Sequence, residues 1–305
     1  MIVFLCADDY SNVGNNWARA MSDMGHEAVC LKTQKSAFMQ PQTHTQRCEA
    51  HQITEVLRSQ NATRVVIMHS YHRYIEYIPT DIPYWVMHGG TRYRQNPEHI
   101  AAVFAKAKGH IIQTPDLLNL VPGQKERFVP AYVPDTGYKP VPRHVKRFSH
   151  YPSNQANKGT ADIRRMVAAI GWTEHLQVDT TPLPWQKNQE RIMNSQVYIE
   201  LYSPCQGQRP YGTFGVTALE AALMGRPVIT QCLNFNKSFG SRLWEYDPLE
   251  LTYSEDDFID AIHRYGRMSY EQVVRCGMMA REATLRRLTA DRITRELIKA
   301  MQEYG

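Results

Sequence analysis

Hydrophobic and polar positions change period several times along the chain, and those changes mark out its elements. Ile2–Cys6 is an unbroken apolar run of strand length. Trp17, Ala20, Met21 and Met24 then recur at helical spacing, Gly25 closes that helix, and residues 27–31 form the next apolar run. The same alternation predicts a helix over 49–59, strands over 64–68 and 84–87, a helix over 97–108 and a strand over 110–113. A short helix near 115–120 and a strand over 127–129 follow. Residues 132–146 break the rhythm, with Pro134, Pro140 and Pro142 among basic residues, and read as a linker. Beyond it a strand ends in a polar loop, and a helix begins near Gly159 with Ile163, Met166 and Val167 on one face. Strands at Leu176–Val178 and Val197–Leu201 flank a helix over 186–194. Val216, Leu219 and Leu223 lie at helical spacing. Gly225 stops that helix, Pro227 prevents its continuation, and 228–230 is a strand. Helices over 255–266, 270–285 and Ala290–Gln302 end the pattern. Strand–helix alternation of this kind predicts an α/β chain of two domains.

Composition narrows the picture only modestly. A length of 305 residues suits two domains, and 43% hydrophobic with 21% charged residues is ordinary for a soluble enzyme with an ample core. No apolar run reaches the roughly 20 residues that span a bilayer. The apolar start lacks a basic leader and soon meets Asp8 and Asp9, so it reads as a first strand and not as a signal peptide. Cys6, Cys30, Cys48, Cys205, Cys232 and Cys276 are scattered without a C-x-x-C pair, as expected of reduced thiols in a cytoplasmic protein without a zinc site. The net charge of +5 suits anionic ligands without implying nucleic-acid binding.

Four stretches carry candidate chemistry. In residues 211–230, Gly212 and Gly215 allow a ligand close to the backbone. The free N–H groups at the start of the following helix favour an anion, so a phosphate-bearing ligand is the first expectation. The turn after the first strand, with Gly14 and Asn16, is either a helix-capping turn or a ligand contact; one glycine is too few for a dinucleotide fingerprint. Tyr71 opens a segment of interleaved aromatic and basic residues. His88, Arg92 and Arg94 follow the strand over 84–87, where open α/β sheets place ligands. His88 reads either as a site residue or as a satisfied strand-end histidine.

The central stretch resembles the donor-site signature of retaining GT-B glycosyltransferases, in particular the GT4 family. Phe214-Gly215, Leu219-Glu220-Ala221 and Gly225-Arg226-Pro227-Val228 match it in order and spacing. The resemblance implies a GT-B fold, α/β, with two Rossmann-like domains facing each other across a cleft. These would span 1–138 on the acceptor side and 139–285 on the donor side, with 286–305 returning toward the first domain. It implies that Glu220 binds the ribose of the sugar nucleotide and that Lys158, in His-x-Pro-Ser-Asn…Lys-Gly-Thr, neutralises the diphosphate. The family's first glutamate is replaced by Gly212, and an arginine often seen five residues before the lysine is Ser153, for which Arg209 is a substitute. Thr213, Phe214, Gly215 and Val216 complete the implied donor set, with Gly14 and Asn16 bordering the cleft. Tyr71, Arg92 and Arg94 stand on the acceptor side, and His88 would hold the sugar or relay a proton. The implied reaction is a retaining transfer from a nucleotide sugar, a UDP-sugar first. No cofactor or metal takes part, in keeping with the absence of any Asp-x-Asp sequence. The acceptor stays open between a carbohydrate or small molecule and a hydroxymethylated DNA base of the phage type; a sugar-nucleotide-binding protein without turnover is the other alternative. The arginines of the terminal helices, from Arg264 to Arg295, form either a solvated face or a phosphate footprint.

Overall fold

The first apolar run, Ile2–Cys6 (β1), is buried at every residue and lies between two other strands, which is why it carries no polar alternation. The computed structural model describes all residues except Tyr10, 204–214, 233–248 and 304–305. The chain divides into two units, Met1–Pro134 with Leu288–Gly305, and Asp135–Arg287.

In the first unit β1 is joined by β2 (Ala28–Lys32), β3 (Thr45–Arg47), β4 (Arg64–Ile67), β5 (Tyr84–His88), β6 (His110–Ile112) and β7 (Glu126–Phe128). They form a seven-stranded sheet in the order β3-β2-β1-β4-β5-β6-β7, with parallel pairing throughout. Its core gathers Val3, Leu5, Leu31, Val65, Ile67, Val86 and Ile112. Helix α1 (Val13–Asp23) packs on β1 and β2 and against the last helix of the chain, Ala290–Gln302. That last helix buries Ile293, Leu297, Ala300 and Met301, one stripe at helical spacing. Arg127 on β7 fastens it by donating to Glu296 at 2.7 and 2.9 Å and to Glu303 at 2.6 Å.

The second unit holds β8 (Phe148–His150), β9 (Leu176–Val178), β10 (Val197–Leu201), β11 (Val228–Gln231) and β12 (Glu250–Thr252). These form a parallel five-stranded sheet in the order β12-β11-β10-β8-β9. Phe148, Ile163, Met166, Val197, Ile199, Ile229 and Phe258 form its core. Arg226, the variable residue of the Gly-x-Pro-Val turn, has no exposed surface and donates to the carbonyls of Lys139, Pro140, Met193 and Met224 at 2.6–3.1 Å. This cation ties linker residues 139–140 to the second unit, and burial pulls its pKa down to about 10.

Several elements differ from the sequence reading, each for a local reason. The helix over 97–108 ends at Val103, because Phe104 turns into the core and Lys108 N–H reaches the Tyr84 carbonyl at 2.8 Å. The helix expected to begin near Gly159 is α3 (Thr160–Ala169), and the polar loop before it contains a further short helix, α2 (Gln155–Lys158). Gly159 lies between them in the left-handed region at φ 65°, and a Cβ there would stand 1.7 Å from the Tyr202 carbonyl oxygen. The edge strands β3 and β12 carry too few apolar residues to announce themselves; partner backbones define them. Among the described residues, no helix is long and apolar enough to cross a membrane.

Candidate functional site

In the second sheet the chain runs outward in opposite directions from β8 and β10, which lie side by side. Ligands of open α/β sheets bind beyond the carboxyl ends of strands at such a switch point. The end of β8 leads through exposed Ser153 to α2, where the Asn154 side chain accepts the Asn157 N–H at 3.0 Å. Lys158 closes α2 rather than opening the next helix, and its carbonyl accepts the Tyr202 N–H at 3.2 Å. The turn is further fixed by His150, whose Nδ1–H donates to the Ile199 carbonyl at 2.9 Å while its Nε2 accepts from Thr160 Oγ1 at 3.0 Å. Burial holds His150 neutral, with a pKa lowered to about 4.

The Lys158 ammonium is thereby aimed at the end of β10, where it pairs with Glu200. The Glu200 carboxylate also accepts the N–H of Gly215, at the start of α4 (Val216–Leu223), at 3.2 Å. Five residues along that helix, about 7–8 Å by helical rise, stands Glu220. The helix is buried on every side from Ala218 to Leu223, so Glu220 is only 8% exposed and does not lie on a solvated face. Its two oxygens accept from Trp185 Nε1 at 2.7 Å and Gln189 Nε2 at 2.8 Å. Trp185 and Gln189 are one turn apart on α5 (Trp185–Met193). Burial pushes the Glu220 pKa up to about 7 against these two donors, and the charge of Glu200 adds to the rise. Val216 is half-buried on the first turn of α4. Arg209, Gly212, Thr213 and Phe214 lie outside the described residues.

The switch point of the first sheet lies between β1 and β4. Asp9, beyond β1, has no exposed surface and accepts the N–H groups of Gly14 and Asn15 at 3.0 and 2.8 Å, so the α1 N-terminus is capped by the protein's own carboxylate. Asn16 is buried and accepts from Asn12 at 3.2 Å. His69 and Ser70, beyond β4, both take left-handed backbone conformations without being glycine. Ser70 Oγ is 2.7 Å from His88 Nδ1, and His88 Nε2 is 2.7 Å from His110 Nδ1. His88 has no exposed surface and stacks on Tyr93 at 3.9 Å between ring centroids. Both its nitrogens are engaged, and burial pushes its pKa well below the ordinary histidine value. His88 therefore sits in an interior hydrogen-bonded chain, and its partner Ser70 has no exposed surface either. Exposed Arg92 lies over half-buried Tyr71, 5.6 Å from its ring centroid, and donates to the Ser70 carbonyl at 3.4 Å. Arg94 does not join them: it is 3% exposed and donates from Nε to Asp116 at 2.8 Å.

No protein-family model and no curated protein matches the sequence. Solved structures match the fold. A glycosyltransferase from Rickettsia africae ESF-5 superposes with a TM-score of 0.63 at 12% identity, over 99% of this chain and 98% of that one. An alpha-glucosyltransferase in complex with UDP and a 13-mer DNA containing a central A:G mismatch gives 0.64 at 12% identity, over 98% of each chain. HepE of Anabaena, in complex with UDP, gives 0.61 at 10% identity, over 99% of each chain. The fold is GT-B. At these identities the likeness is one of fold, and the chemistry rests on the residues.

Three of those residues went unread in the sequence. Glu200 stands at the end of an otherwise apolar strand, Val-Tyr-Ile-Glu-Leu, and a lone carboxylate at the carboxyl end of a core strand is a legible signal. Trp185 and Gln189 share one helix face by their spacing, but only the packing of α5 on α4 makes them partners of Glu220.

Proposed function

We propose that this chain is a metal-independent, retaining glycosyltransferase that takes a nucleoside diphosphate sugar, a UDP-sugar first, and transfers the sugar to a hydroxyl group. The observation that carries the reading is the arrangement at the second switch point. There an ammonium and a helix-start N–H stand at one end of α4, with a buried carboxylate farther along the same helix. The first pair suits a diphosphate and the carboxylate suits ribose hydroxyls, since each of its oxygens accepts more than one hydrogen bond. Two structures of the same fold contain UDP. As the sugar–phosphate bond breaks, charge builds on the departing diphosphate, where Lys158 stabilises it. The transfer needs no metal ligand from an Asp-x-Asp sequence, and the chain has none.

Thermal unfolding with UDP-, GDP- and ADP-sugars tests this reading. A donor at about 100 times its Kd adds roughly 2.7 kcal/mol, so the UDP-sugar is expected to raise Tm by several degrees. If no nucleotide sugar moves Tm, the assignment is wrong. Shifts without any transfer or hydrolysis would make the chain a binding protein.

One observation favours a nucleic-acid acceptor. Tyr71 and Arg92 form an aromatic and cationic shelf, and the charges of Arg92, Arg73 and His99 all bear on His72, whose pKa is lowered first by burial and then by them. Several terminal-helix arginines are by contrast bound to carboxylates: Arg264 to Glu250, Arg281 to Asp135, and Arg295 to Asp291. Sugar transfer onto hydroxymethylated duplex but not onto plain duplex is the expected result. Binding should weaken with salt at a logarithmic slope of about −0.9 per phosphate contact, and Arg92→Ala should lower that slope. Transfer to a small hydroxyl compound, with no salt-sensitive duplex binding, would refute the nucleic-acid acceptor.

A further inference from the structure

Both groups that the donor's diphosphate would use already hold an anion, and it belongs to the protein. The Glu200 side chain is 1% exposed, pairs with Lys158, and takes the Gly215 N–H at 3.2 Å. A Cβ on Gly215 would stand 2.7 Å from Glu200 Oε1 and 3.2 Å from Lys158 Nζ, so the glycine keeps open the space where the pair meets. The rest of β10 is buried and, from Val197 to Ile199 and at Leu201, hydrophobic. A carboxylate in such a strand is costly unless it is paired and hydrogen-bonded, and Glu200 satisfies that condition only through the two groups just named and their surroundings. A diphosphate and a carboxylate have the same sign and need the same donors, so they do not share this place at short range.

We propose that Glu200 is a built-in competitor of the donor's diphosphate. Without donor it holds Lys158 and the Gly215 amide that precedes α4; it yields both to the phosphates on binding, and recaptures them as the nucleoside diphosphate departs. The inference rests on the reading of this place as the donor site. Its consequence is that Glu200 weakens the binding of anions specifically. A neutral nucleoside, which makes no claim on Lys158, does not meet the competition. Weakened holding of the product is useful where its release limits turnover.

The experiment is calorimetric titration of the full chain with UDP, inorganic pyrophosphate and uridine, for wild type, Glu200→Gln and Glu200→Ala. The amide keeps the shape and still accepts from Gly215 and Lys158 while removing the charge. Glu200→Gln is expected to bind UDP and pyrophosphate roughly ten-fold tighter, the factor given by ~1.4 kcal/mol of relieved competition, with uridine unchanged. Glu200→Ala must move UDP in the same direction, which covers the case of an amide variant that fails to fold. Unchanged or weaker UDP binding in the variants, against measurable binding by wild type, overturns the proposal and makes Glu200 a residue that orients Lys158. Equal tightening of uridine also overturns it, because the effect is then general repacking. Absence of nucleotide binding by wild type in this titration and in the donor panel sinks the donor-site reading, and the competitor with it.

Discussion

Lys158→Ala is expected to lower kcat/KM with a UDP-sugar by about 10²–10³-fold, the usual effect of removing one preorganised donor from developing charge. Preorganisation is what the local structure supplies. The Asn154 cap, the left-handed Gly159 and the bond from Tyr202 N–H to the Lys158 carbonyl fix the base of the side chain before any ligand arrives. The substitution also has a structural effect. It leaves the Glu200 carboxylate, 1% exposed, without its cation, and stranding one partner of a buried pair costs about 3–5 kcal/mol. Lys158 itself is 16% exposed, which moderates that figure. Lys158→Met combined with Glu200→Gln separates the two effects, because it removes both charges together. The double variant should regain most of the lost Tm, while its kcat/KM stays well below wild type and recovers only the part that the competing Glu200 charge had cost. A folded Lys158→Ala protein with near wild-type kcat/KM would reduce Lys158 to the structural partner of Glu200.

Apart from β3 and β12, the strands of both sheets were legible because parallel, doubly covered strands are continuous apolar runs, as in Ile2–Cys6 and Val197–Leu201. The α4 segment was legible for a different reason: glycine, proline and the Leu-Glu-Ala spacing punctuate it. What could not be read is what depends on pairing across distance. The turn holding Gly14 announces a helix start, but nothing local says that Asp9 caps it. His88 sits at a strand end as expected, yet its surroundings come from β6, which brings His110, and from Ser70 in a backbone conformation that no glycine advertises. Arg94 and Arg92 are two residues apart in one basic stretch. The short helix they share sends one to Asp116 in the interior and the other to the surface over Tyr71. Residue type alone gives both the same reading, and burial separates them.

Glu220→Gln is expected to weaken binding of a UDP-hexose by roughly ten- to a hundred-fold, the loss of about 1.5–3 kcal/mol of charged hydrogen bonding to ribose, while the fold survives. Survival follows from the surroundings of the carboxylate. Trp185 and Gln189 both donate to it, so an amide in its place turns one donor toward another donor. Gln189 relieves the conflict by rotating its amide, since its own Oε1 is buried and has no hydrogen-bond partner among the described residues. The pH dependence gives the second readout. With a pKa of about 7 in the folded chain against 4.5 ordinarily, Glu220 binds its proton more tightly when folded. Its contribution to stability is thus complete at low pH and is lost as pH rises from about 4.5 through about 7, by roughly 3 kcal/mol at most. Glu126, also raised to about 7 by burial, acts in the same window, so the difference between wild type and variant isolates Glu220. Wild type should lose stability relative to Glu220→Gln between pH 5 and pH 8. Ribose hydroxyls donate to the ionised form, so binding of a UDP-hexose, whose phosphates do not titrate in this range, should release protons near pH 7. Wild-type affinity should therefore climb from pH 6 to pH 8, and the variant's affinity should stay flat. A matching pH slope in the variant, or unchanged affinity at pH 8, would return Glu220 to a purely structural role beneath Trp185.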